Sequence, residues 1–149
     1  MLPNKTKYAI KALLALAKNY KEPRPLSIAK IARSEKIPRK FLELIMLELK
    51  KKGFVKSKMG PTGGYYLAKH PEELMLSTII RSTGAPIALL PCASLNFYEK
   101  CRECHDEVTC GLRDVALEVR DESIKILSKT SLADIFKREK KLEKKSKIS

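Results

Sequence analysis

All four cysteines of the 149-residue sequence lie in one stretch, "LPCASLNFYEKCRECHDEVTCGLRD" (residues 90–114), spaced Cys92-x8-Cys101-x2-Cys104-x5-Cys110. A lone cysteine is most often a small core hydrophobe. That reading fits poorly here, because the same stretch carries Glu99, Lys100, Arg102, Glu103, Asp106 and Glu107. Thiols gathered in a polar, aperiodic segment have three chemistries open to them. They can ligate an iron–sulfur cluster, which thiolates from a pliant loop suit well. They can hold structural zinc, although such sites usually show two close pairs and only Cys101 and Cys104 make one. They can act as a thiol switch, with Lys100 and Arg102 flanking Cys101. An oxidoreductase built on Cys101 and Cys104 is disfavoured, since this CxxC follows no strand of a βαβ unit. No catalytic residue is assigned, and the chain is read as a non-enzyme.

Charge says what the rest of the molecule faces. The net charge is +14, and it is unevenly spread. Residues 1–70 hold 17 Lys/Arg against 4 Asp/Glu (+13), residues 71–136 hold 7 against 11 (−4), and residues 137–149 hold 7 against 2 (+5). So basic an N-terminal half predicts a polyanionic partner. No run of about 18 apolar residues occurs, so no membrane-spanning helix is expected. The apolar residues 10–17 are too few for a secretory signal and lack a cleavage site after them. A cytoplasmic location follows, where clustered cysteines serve as ligands or redox groups rather than staples. A chain of this length buries a core without staples.

The positioning elements can be read from periodicity. Residues 6–20 place Ile10, Leu13, Leu14, Ala17 and Tyr20 on one helical face, with Thr6 as N-cap. "EPRP" (22–25) breaks the chain. "LSIAKIARSEK" predicts a short helix capped by Ser27, with Ile28, Ile31 and Ala32 inward. "KIPRKFLELIMLELKKKG" predicts a longer helix with Pro38 in its first turn, Gly53 at C′, and a buried stripe of Phe41, Leu42, Ile45, Met46 and Leu49. "FVKSK" and "YYLA", joined by "MGPTGG", predict a β-hairpin. A short helix led by Ser77 ends near Gly84. Beyond the cysteines, Leu112, Val115, Ala116, Val119, Ser123, Ile126 and Leu127 line a face that Leu117 and Ile124 widen beyond the needs of a lone surface helix. That width predicts pairing with a second copy. "SLADIF" (131–136) opens on a Ser-x-x-Asp cap and predicts one more turn of helix. The remainder has little to bury.

Helix, short helix, longer helix and hairpin, in that order, predict a mostly α fold: a winged helix-turn-helix with a small two-stranded wing and a long dimerisation helix. The helix after Pro38 then enters the major groove. Arg39, Lys40 and Glu43 lie off its apolar stripe, where Arg can pair with guanine and Glu can accept from cytosine. Lys56 and Lys58 are phosphate candidates on the hairpin. Ser27, Gly60 and Thr62 complete the candidate DNA-contacting set. Lys50, Lys51 and Lys52 suit either phosphate or the helix C-terminus.

"KGFVKSKMGPTGGYYLAKHPEELMLSTII" closely resembles the wing of the Rrf2 family of bacterial winged-helix regulators, the IscR/NsrR/CymR type. "TKYAIKALLALA" resembles that family's first helix, "IPRKFLELIMLELKKKG" its recognition helix, and "PC…C…CGLRDV" its cysteine segment. The resemblance spans roughly residues 5 to 135. It implies a homodimeric repressor or activator, with repressor preferred, bound to a double-stranded operator and sensing iron–sulfur, redox or nitric-oxide status. It assigns Cys92, Cys104 and Cys110 to a cluster, with 2Fe-2S preferred and 4Fe-4S left open. Cys101, His105 and Glu103 are the candidates for a fourth ligand. At the position where some relatives carry an acidic ligand in the first helix, this chain has Lys7. Met59 stands where the family often has a wing arginine. The expected organisation is a DNA-binding winged helix-turn-helix over 1–84, a sensor loop over 85–110, a dimerisation helix and C-terminal turn over 111–136, and a basic mobile tail over 137–149.

Overall fold

The computed structural model describes residues 2–22 and 24–148. Helix α1 (Asn4–Lys18) is the axis of the core, with Ala9, Ala12, Leu13, Leu14, Ala15, Leu16 and Ala17 all buried. Its N-cap is Pro3, ahead of the expected Thr6. Thr6 therefore sits in the first turn, 1 % exposed, and shares a hydroxyl–hydroxyl bond of 2.8 Å with Thr83. Tyr20 lies beyond the helix end and is exposed, its ring edge-on to His70. Pro23, in the expected break at 22–25, lies outside the described residues, as do Met1 and Ser149.

Helix α2 (Ile28–Glu35) starts as expected: the Ser27 hydroxyl accepts from the Lys30 N–H at 3.2 Å. It ends on Lys36 in the left-handed region (φ 54°). Helix α3 (Arg39–Lys51) follows Pro38 and buries Leu42, Ile45, Met46 and Leu49. Phe41 sits at the rim of that stripe rather than within it, edge-on to Tyr8 at 5.7 Å. Gly53 has φ 78°, as a C′ residue should.

Strands β1 (Val55–Lys58) and β2 (Gly64–Leu67) pair antiparallel, Val55 opposite Leu67 and Lys58 opposite Gly64. Leu26 and Tyr65 exchange both backbone bonds (2.9 and 2.8 Å), which fastens the wing root to the segment entering α2. Gly64 is required there. Its φ is +154°, and a Cβ would come within 2.3 Å of the Leu26 carbonyl oxygen.

A 3₁₀ turn (Pro71–Glu73) leads into α4 (Leu76–Ser82), whose N-cap is Met75 rather than Ser77. Ser77 is inside the helix, buried, and accepts from the Ser128 hydroxyl at 3.1 Å. The cysteine segment holds one 3₁₀ turn, Pro91–Ala93, before α5 (Gly111–Lys129). Helix α6 (Leu132–Ile148) corrects the expectation of a single turn and then a tail. Ser131 and Asp134 cap it as the pattern predicted, through bonds of 2.9 and 3.2 Å. Leu132 is fully buried and Ile135 packs on the core, so two apolar residues dock a helix whose second half is polar and exposed. The result is a mostly helical winged helix-turn-helix with one two-stranded sheet.

Candidate nucleic-acid interface and cysteine loop

Burial of Leu42, Ile45, Met46 and Leu49 turns the opposite face of α3 to solvent. Arg39, Lys40 and Glu43 stand near its N-terminal end, and Arg39 Nε donates to Glu43 Oε1 at 3.3 Å across one turn. Both side chains of that pair are well exposed, so it contributes little to stability and is easily exchanged for another partner. Lys56 and Lys58 share one exposed face of β1, two residues apart. Ser57 points the other way and accepts from Lys50 Nζ at 2.6 Å, tying the wing to the end of α3. Lys52 is also engaged, donating to the Ser82 carbonyl. Gly60 (φ +105°) and Thr62 form the exposed tip with Met59, which is 91 % exposed. Ser27 is exposed, but its hydroxyl is already committed to capping α2.

The cysteine loop is built differently. All four thiols are free: Cys92 is buried, Cys104 and Cys110 are half-buried and Cys101 is exposed. They line one open cavity of about 550 Å³, together with Glu103, Leu112 and Arg113. Of the three candidates for a fourth ligand, Cys101 and Glu103 share that wall, whereas His105 is outside it and exposed. The Cys104 N–H reaches the Cys101 carbonyl at 3.4 Å and closes the CxxC turn. Cys101 Sγ donates to Glu103 Oε2 at 3.5 Å. Partial burial pushes the Cys104 thiol above its ordinary range, helped by Cys110, Cys101 and Glu107 nearby. The Tyr98 hydroxyl donates to Glu107 Oε1 at 2.5 Å, and that bond raises the tyrosine as well. Among the described residues, no three His, Cys, Asp or Glu side chains converge in metal-binding geometry. The donor set suits an iron–sulfur cluster in kind, and the thiols would have to draw together to hold one.

Two arginines of α5 grip this loop by its backbone. Arg113 Nε donates to the Cys92 carbonyl at 3.2 Å, and Arg120 donates to the Ala93 carbonyl at 2.8 Å. Sequence reasoning missed both. Their signal was present: two cations seven residues apart lie on one helical face, directly after the last cysteine. The same helix leaves Leu112, Val115, Val119 and Ile126 uncovered by its own chain. Val119 also borders a cavity of about 650 Å³ with Leu89, Leu90 and Phe97.

A solvent-facing basic helix beside a glycine-tipped hairpin defines a winged-helix DNA-binding protein. A family model described as "Rrf2: Iron-dependent Transcriptional regulator" matches residues 2–138. An Rrf2-like helix-turn-helix transcriptional regulator of Rhodobacter capsulatus is 41 % identical over 138 residues, 91 % of this chain and 92 % of the relative. Among solved structures, CymR, the global cysteine regulator of B. subtilis, superposes with a TM-score of 0.73 at 26 % identity, covering 91 % of this chain and 95 % of that one. IscR of T. potens gives 0.71 at 26 % identity, covering 93 % and 87 %. The chain belongs to the Rrf2 family of transcription regulators, and it is a DNA-binding regulator rather than an enzyme. None of its described helices is long and apolar enough to cross a membrane.

Proposed function

We propose that the protein is a homodimeric, operator-binding repressor that senses iron–sulfur, redox or nitric-oxide status through a cluster held by Cys92, Cys104 and Cys110. One observation carries this reading: the four thiols line a cavity at the start of α5, and α5 itself grips the turn that bears Cys92. Such a cluster supplies a redox-sensitive, nitric-oxide-reactive centre when bound. Cys101 or Glu103 would complete its ligand set. Arg113 and Arg120 hold the loop on the helix, so rearrangement of the thiols displaces α5. The bare stripe of Leu112, Val115, Val119 and Ile126 pairs two α5 helices. A shift of α5 then alters the spacing of two α3 helices, and half-sites one helical turn apart tolerate little misplacement. Residues 1–84 would serve as the reading unit and 85–110 as the sensor.

The test is anaerobic purification with iron and sulfide assays, absorbance, sedimentation and operator binding. Wild-type protein should carry sulfide with its iron and sediment as a dimer, and loss of the cluster should change operator affinity. Cys92→Ala, Cys104→Ala and Cys110→Ala should each abolish the cluster, whereas Cys101→Ala should retain an altered or unchanged one. Should Cys101→Ala erase the cluster while Cys104→Ala keeps it, the ligand assignment is off by one cysteine. Val119→Asp should give monomers that no longer hold an operator. A second reading, a thiol switch without a cluster, draws on the exposed Cys101 and its turn with Cys104. In that case the protein carries no sulfide, and an oxidant takes two electrons and two protons from the pair to form their disulfide.

A further inference from the structure

The outward face of α3 is not uniformly polar. Lys40, Leu44, Leu47 and Lys51 follow one another at four, three and four residues, so they form one row along the helix. That row lies opposite the buried Leu42, Ile45, Met46 and Leu49. Leu44 is 61 % exposed and Leu47 is 49 % exposed. A single exposed leucine is ordinary. Two in succession, flanked by Lys40 and Glu43 on one side and Lys51 on the other, place bare apolar surface at the middle of the helix that faces DNA.

An apolar side chain offers nothing to a phosphate or to the hydrogen-bonding edges of guanine, adenine or cytosine. The major groove displays one apolar group, the thymine 5-methyl. We infer that Leu44 and Leu47 read thymine methyl groups, so that part of this protein's sequence preference is van der Waals contact rather than hydrogen bonding. The inference rests on the proposed reading of α3 as the helix that enters the major groove. Within that reading Arg39, Lys40 and Glu43 address polar base edges and phosphates at the helix start, and the leucines address thymines one to two turns further along.

The experiment uses the full-length protein and a duplex enriched from random sequence by its own binding. Each thymine of the enriched half-site is replaced in turn by uracil, which removes only the methyl group. Wild type, Leu44→Ala and Leu47→Ala are then titrated against every duplex. At one or two thymines per half-site, uracil should weaken wild type about three- to fivefold, about 0.7–1 kcal/mol for one buried methyl. At those positions the penalty should vanish in one leucine variant, while penalties elsewhere persist. The variants should melt with wild type, since both side chains are largely outside the core. A uracil penalty at no thymine, or penalties that survive in both variants, overturns the inference. So does a finding that the variants bind every duplex like wild type but lose self-association, because the row is then a protein contact. Selection that enriches no sequence removes the sequence-specific reading of α3 itself, and this inference with it.

Discussion

The helix-turn-helix with its wing and the cysteine loop are held in place by opposite means. In the first, each element contributes to a shared interior: Leu13, Ile31, Leu42 and Val55 come from four different elements and are almost fully enclosed. In the second, residues 95–103 are exposed throughout, and local order rests on a few polar bonds such as Ser94 to Phe97, Asp106 to Thr109 and Tyr98 to Glu107. The helix-turn-helix is fixed by burial, which is insensitive to small chemical change. The loop is fixed by contacts whose net worth is about 1 kcal/mol each, so chemistry at the thiols can compete with them. The two regions thus differ in how far a small chemical change can disturb them.

Substitutions should expose this contrast, most strongly at the wing root. Gly64→Ala drives a Cβ into the Leu26 carbonyl at a φ of +154°, so it should cost about 2–3 kcal/mol and free the wing. Thermal melting together with hydrogen exchange at Tyr65 checks both. Retention of wild-type melting would show that the wing root relaxes. Next comes the seam between the regions. Arg120 is well covered and donates to the Ala93 carbonyl, so Arg120→Ala should cost about 1–3 kcal/mol. It should also loosen Cys92, read as faster alkylation of that thiol in the cluster-free protein. Unchanged alkylation would mean that the arginine does not restrain the turn.

A smaller effect belongs to the start of α6. Ser131→Ala removes a cap and should cost about 1 kcal/mol. The Ser131 backbone N–H and hydroxyl hold the Asp134 carboxyl below its ordinary value of 3.8. A depressed carboxyl stabilises the fold above 3.8, and that contribution is lost only as pH falls below it through the folded value. Asp134→Asn should therefore differ from wild type near neutrality and converge with it in strong acid; a constant difference across that range contradicts the assignment. The smallest change is expected at Cys101. Cys101→Ala should stay within about 0.5 kcal/mol of wild type, because the thiol is outside the core. A larger loss in the cluster-free protein would make Cys101 structural.

How well the sequence foretold each part follows from the range of the forces involved. The α3 stripe, the Ser27 cap, the glycine at 53 and the hairpin are local: residues a few positions apart decide them, and they were readable. Thr6 and Ser77 were misjudged because both have capping chemistry, yet their hydroxyls meet partners 77 and 51 positions away. The extent of α6 was missed because Leu132 and Ile135 dock on a core assembled from distant segments. The four thiols were legible as a group, and the cavity they line was not, since it depends on how an aperiodic loop folds back on α5.

Arg113 meets the Glu107 carboxylate at 3.9 Å, and the hydrogen bonds that Arg113 and Arg120 make to the turn at 92–93 end on main-chain carbonyls. Every residue at positions 92 and 93 presents the same carbonyl. These two bonds are therefore blind to which side chains stand at 92 and 93. Side chains at those two positions could be exchanged while both bonds stay intact. The turn is latched to α5 through its main chain, and the latch belongs to the helix rather than to the residues it holds.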